Sequence, residues 1–174
     1  MALYLIESSL NENLKNTEAF EEKVSSLEQN LQEELIEVQV ASDFGRAFFI
    51  FEAEEEAGLK SALEGEQLPV DLAKEVRIVG QELEEAKKQK EKINYLVEWN
   101  LPDNLTMDQY LERKKKNSVH YAEVPEVSFS RTYVCEDMTK CLCFYDAPDD
   151  ESVVRAREAV KAPIDNITQL SDKK

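Results

Sequence analysis

The sequence predicts an α+β protein in which one strand–helix–strand–strand–helix–strand unit occurs twice. Three internal matches point there. Tyr4–Leu14 (YLIESSLNENL) and Tyr95–Leu105 (YLVEWNLPDNL) share six of eleven residues at a separation of 91. Phe51–Glu56 corresponds to Tyr145–Asp150 at a separation of 94, and Pro69-Val-Asp71 corresponds to Pro163-Ile-Asp165 at the same separation. Self-similarity in one order at a near-constant spacing is the signature of a repeated unit. A unit of about 85 residues buries only about 60% of the surface its unfolded chain exposes, so two such units gain by packing on each other.

The elements follow in order. Ala2–Ser9 is apolar and aromatic enough for a strand. Asn16 or Thr17 can cap a helix starting near Glu18, whose Phe20, Val24, Leu27 and Leu31 fall on one face. Ile36, Val38 and Val40 alternate with Glu37 and Gln39, the pattern of a half-buried strand. Ser42-Asp-Phe-Gly45 has turn chemistry, with Gly45 expected to take positive φ, and Arg46–Phe51 returns as the second arm of a hairpin. Glu54–Glu64 is a short helix with Leu59, Ala62 and Leu63 inward, and Glu75–Val79 is a fourth strand. This is the split βαβ, ferredoxin-like order. The second half repeats it: strand Ile93–Asn100, a capping box at Thr106–Gln109 opening a helix, hairpin Glu126–Cys135 and Lys140–Asp146, helix Asp149–Val160 and strand Ile164–Leu170. The expected domains are residues 1–80 and 93–174. Between them, 81–92 is a charged helical linker in which Glu84 can pair with Lys88. A ferredoxin-like sheet covers one face with helices and leaves the other bare. Two repeats in one chain can close that face by packing sheet against sheet, as a single-chain pseudo-dimeric α+β barrel.

Composition narrows the partners. The net charge is −16, with −12 in residues 1–92 and −4 in residues 93–174. Such a surface repels phosphate backbones and anionic lipid, so nucleic acid and membrane are not expected partners. No stretch approaches the roughly 20 apolar residues that span a bilayer. Three cysteines, all within Cys135–Cys143, are no disulfide framework, which suits a reducing cytoplasm. The chain has four glycines and no phosphate-binding loop, nucleophile elbow or His-based triad.

Residues 93–170 resemble a small bacterial family of ferredoxin-like domains, some of them described as nickel-binding and dimeric. The resemblance rests on Tyr95-Leu-Val-Glu98, Leu101-Pro-Asp-Asn-Leu105, Ser130-Arg-Thr-Tyr-Val134, Cys143-Phe-Tyr-Asp-Ala-Pro148 and Ala162-Pro-Ile-Asp165. It implies the ferredoxin-like fold, and nickel or another divalent metal as the candidate ligand.

The candidate site residues cluster in the second repeat. Glu7 and Glu98 share one repeat position on the strand central to a ferredoxin-like sheet. A carboxylate there needs a partner, for which Arg131 is a candidate, or a hard cation; otherwise it sits wet at a strand end. Arg131, Tyr133 and Cys135 alternate on one strand face, opposite in parity to the apolar set, and correspond to Glu37, Gln39 and Ala41 in the first repeat. With Trp99 as an aromatic wall, Glu98, Arg131 and Tyr133 outline a ligand pocket; plain packing and ion pairing is the alternative. His120 is the only histidine. It reads either as an exposed residue or as a metal ligand with Glu98, since nickel favours imidazole. Cys141 and Cys143 face one side of their strand, whereas the face of Cys135 depends on the hairpin register. Arg113-Lys-Lys-Lys116 reads as a solvated helix face.

The resulting expectation is a non-enzymatic binding protein, an intramolecular pseudo-dimer open to further self-association, that takes a small molecule or a divalent metal between its sheets. The alternatives are a cofactor-independent oxygenase- or isomerase-like enzyme using His120 or Glu98 as base, and a purely structural or interaction module.

Overall fold

The structure, a computed structural model, describes residues 2–80, 82–87 and 93–171. Among the described residues, eight strands and five α-helices run in the order β1 (Ala2–Ser9), α1 (Thr17–Gln29), β2 (Glu34–Val40), β3 (Arg46–Ala53), α2 (Ala57–Gly65), β4 (Leu72–Val79), α3 (Leu83–Lys87), β5 (Tyr95–Asn100), α4 (Met107–Asn117), β6 (Ser128–Cys135), β7 (Lys140–Asp146), α5 (Asp150–Ala159) and β8 (Asn166–Gln169). The described residues fall into two compact units. The first takes in 2–77, 86–87 and 170–171, and the second 78–80, 82–85 and 93–169.

In the first unit the strands lie in the order β2-β3-β1-β4, and in the second β6-β7-β5-β8. All the recorded pairings within each unit are antiparallel. This is the ferredoxin-like arrangement in both. The expected helix starts hold where a capping side chain exists. Asn16 Oδ1 accepts from Ala19 N at 2.8 Å. Thr106 Oγ1 accepts from Gln109 N at 3.2 Å while Gln109 Oε1 accepts from Thr106 N at 3.0 Å, a complete capping box. The helix expected from Glu54 begins only at Ala57; its N-cap, Glu56, makes no side-chain cap bond. Residues 118–123, between α4 and β6, form a 3-10 helix. The expected Glu84–Lys88 pair involves a residue outside the described ones.

Local geometry recurs 94 residues on. Phe44 and Met138 have φ of 57° and 61°, and Gln67 and Lys161 have 63° and 58°. Asp43 Oδ1 accepts from Gly45 N, and Asp137 Oδ1 from Thr139 N, in the two hairpin turns. The expected positive φ at Gly45 therefore falls one residue earlier, on Phe44, because the Asp43 carboxylate closes the turn around it. Bulges also recur, between Leu35 and Glu37 in β2 and between Phe129 and Arg131 in β6. A bulge breaks the two-residue alternation. Leu35 thus joins Val38 and Val40 against the helices of the first unit, while Ile36, expected there, is buried outside that cluster.

Each unit packs its helices on one sheet face. Tyr4, Ile6, Phe49 and Phe51 meet Phe20, Val24, Leu27, Leu59 and Leu63 in the first. Tyr95, Val97, Trp99, Val134, Cys141, Cys143 and Tyr145 meet Tyr110, Val153 and Ala156 in the second. Among the described residues no helix is long and apolar enough to cross a membrane.

Candidate functional site

The face of the second sheet away from its helices carries most of the expected site. Glu98, Arg131 and Tyr133 all lie there and are buried. Tyr133 packs edge-on against Phe144 at 5.9 Å between ring centroids. Arg131 Nη1 donates to Ser130 Oγ at 2.9 Å. Glu98 is held by Lys140 at 3.6 Å, and its counterpart Glu7 by Arg46 at 2.6 Å. Arg46 and Lys140 are 94 residues apart, so the two units keep one ion pair at one position. The Arg46 side chain is partly exposed while Glu98 and Lys140 are largely enclosed, so neither pair stabilises much beyond its desolvation and screening costs.

Trp99 is not with them. It neighbours Glu98 on β5, so it faces the other way, into the helix-side core. His120 sits in the 3-10 helix, which packs on the helix layer against α4 and α5, and its Nδ1 lies 2.6 Å from Glu123 Oε2 with the side chain 43% accessible. The structure therefore does not bring His120 and Glu98 together. Among the described residues no group of three or more His, Cys, Asp or Glu could hold a metal ion. Among the described residues the donor set does not fit resident nickel. The cysteine register is also settled: Val134 pairs with Cys141, so Cys135 faces away from Cys141 and Cys143.

On the helix side is a polar cluster that the sequence reading missed. Arg157, on α5, is 2% exposed. Its Nη1 donates to Cys143 Sγ at 3.2 Å and to Tyr145 Oη at 3.0 Å, and its Nη2 to the Pro163 carbonyl at 2.6 Å. No carboxylate pairs with it among the described residues, and its Nε has no hydrogen-bond partner among them. Thr132 Oγ1 donates to Cys143 Sγ at 3.2 Å, and the hydroxyls of Tyr121 and Tyr145 are 2.6 Å apart.

The side chains around this guanidinium shift one another's titration. A hydrogen bond from Cys141 does most to pull the Cys143 thiol well below its ordinary range; against the cost of burial, the charges of Lys114 and Arg157 and the Thr132 hydroxyl add to it. Cys141, as donor of that bond and buried as well, is pushed up. Burial works against the charge of Arg157, but the Cys143 and Tyr145 side chains hold it protonated. Tyr121 is pushed up to about 12, first by burial and then by the negative charge of Cys143. Tyr145 and Tyr110 are raised for the same reasons, and so stay neutral.

Arg157 also lines a small pocket open to solvent, together with Trp99, Tyr110, Arg113, Lys114, Asn117, Ser118, Tyr121, Val160 and Ala162. The guanidinium carbon of Arg113 lies 5.4 Å from the Trp99 ring centroid, and its Nη2 donates to the Lys161 carbonyl at 2.7 Å. Lys114 Nζ lies 4.4 Å from the Phe129 ring centroid, and Phe129 stacks on Tyr121 at 5.3 Å. So Arg113 and Lys114, read from sequence as solvated, form part of the pocket. One sequence signal pointed there: Val153, Ala156, Arg157 and Val160 fall at helical spacing, which puts an arginine on a core-facing stripe.

Fold and site together define a ferredoxin-like α+β protein with a built pocket in its second unit. Residues 95–170 match the model of a family described as "Nickel responsive protein SCO4226-like". A solved member, SCO4226 from Streptomyces coelicolor A3(2), is 18% identical over 42% of this chain and 90% of its own, with a TM-score of 0.37. Over nearly the whole chain the fold is similar to a putative chlorite dismutase, TA0507 (10% identity, 99% of this chain and 96% of that one, TM-score 0.57). It is likewise similar to an anthrone oxidase-like protein (10% identity, 98% and 92%, TM-score 0.54). Among curated proteins none matches the sequence.

Proposed function

We propose that the protein is a non-enzymatic binding protein, and that its small-molecule ligand sits in the helix-side pocket of the second unit. The observation that carries this is Arg157: a deeply buried cation, without a carboxylate partner among the described residues, at an open pocket. Buried charge is costly to keep unless it does something. Aromatic walls with a few polar groups are the usual lining of small-molecule sites. Binding is favoured over turnover because Cys143, the thiol activated by its neighbours, is fully packed away and does not line the pocket. The family match supports a role connected with nickel response, but among the described residues no group of three or more His, Cys, Asp or Glu could hold the metal, so we place it outside the direct chemistry of this pocket.

The single tryptophan, Trp99, lines the pocket and reports on it directly. Titrating a chemically diverse set of small organic compounds, some member should change Trp99 emission saturably and raise the melting temperature. Stoichiometric nickel chloride should do neither. A set that leaves emission and melting temperature untouched, or a saturable response to nickel, would overturn the reading.

A further inference from the structure

We infer that the pocket selects a small aromatic anion, its acidic group received by Arg157 and its ring held among Trp99, Tyr110 and Tyr121. The inference rests on the pocket reading above and goes beyond it by naming the ligand's chemistry. Three cations line the pocket, Arg113, Lys114 and Arg157, and among the described residues no acidic one does, in a chain with 37 acidic side chains. None of the three has a carboxylate partner among the described residues. A guanidinium offers five N–H donors. Cys143, Tyr145 and the Pro163 carbonyl take three from Arg157, and its Nε is buried without a partner among the described residues. An unspent donor on a buried charge is costly to leave unmade, and a planar oxyanion is its natural acceptor.

The first unit supplies an internal comparison. At the positions 94 residues earlier, Arg157, Cys143, Tyr145, Cys141 and Thr132 are replaced by Leu63, Phe49, Phe51, Ala47 and Val38. The same fold thus closes with an apolar layer there. The polar cluster is not required by the fold, which makes it a feature of the second unit alone.

The test is a Trp99-emission titration of the intact protein with sodium benzoate and with benzamide, its neutral isostere. Benzoate should bind more tightly than benzamide by about tenfold or more, the increment of one charge-assisted hydrogen bond. Arg157→Met should bring benzoate affinity down to that of benzamide. Lys114→Met, at a part-exposed position that tolerates change, should weaken benzoate severalfold and keeps the test open should the Arg157 variant fold poorly. Equal affinity for the two probes, or full benzoate affinity in both variants, overturns the anion inference and leaves the pocket standing. Binding of neither probe, together with silence from the wider compound set, overturns the pocket itself.

Discussion

At the scale of single residues, the protein shows how an arginine is kept charged without an acid. The Cys143 sulfur accepts from Arg157 and from Thr132, and its thiol is held well below the ordinary range, first by the hydrogen bond from Cys141. Because the folded thiol titrates below its ordinary value of about 8.5, its contribution to stability is full above that pH and is lost as pH falls through the folded value. The difference in unfolding free energy between the protein and Cys143→Ser should therefore narrow on acidification from about pH 9. Urea unfolding at a series of pH values measures it, and a difference that widens on acidification contradicts the thiolate assignment. None of this cluster stands out in the sequence, since Cys141, Cys143 and Tyr145 each read as ordinary core residues. What makes them a site is Arg157, fourteen residues away from Cys143 in the chain, arriving on the helix that crosses the sheet.

At the scale of elements, capping, alternation and turn chemistry were legible, and register was not. The four strands and two main helices of each unit lie within a few residues of where periodicity puts them. The faces of Ile36 and Cys135 depended on a bulge and on a four-residue turn at 136–139, and neither has a residue type that announces it. Two positions make the backbone argument testable. Lys161 follows α5 with φ 58°, in the left-handed region that helix ends usually give to glycine. Lys161→Gly should raise stability by about 1 kcal/mol, the usual cost of a side chain there, while the Arg113 bond to its carbonyl persists. Gly80 has φ 92°, and a Cβ there would lie 2.8 Å from Phe129 Cε2. Gly80→Ala should cost about 1–3 kcal/mol and perturb the Phe129–Tyr121 stack. Thermal unfolding checks both, and opposite signs would refute the assigned backbone conformations.

At the scale of the whole molecule, two units share one scaffold and differ in one layer. Glu7–Arg46 and Glu98–Lys140, the left-handed turn residues and the bulges recur at equivalent positions. The internal matches in the sequence were enough to expect that scaffold. They also directed attention to the second unit, where Glu98, Arg131 and Tyr133 lie on the sheet face away from the helices and the pocket opens on the helix side with Trp99. Polar residues on a strand announce themselves by alternation, but the helical spacing that puts Arg157 on a core-facing stripe does not say what it meets there. The central claim is that Arg157 receives the ligand, and its unpartnered Nε–H offers the most direct reading. In an ¹⁵N-labelled sample, the Arg157 Nε–H resonance, assigned by its loss in Arg157→Met, should move on adding benzoate and stay in place with benzamide. A resonance that holds still while Trp99 emission saturates with benzoate would contradict the account.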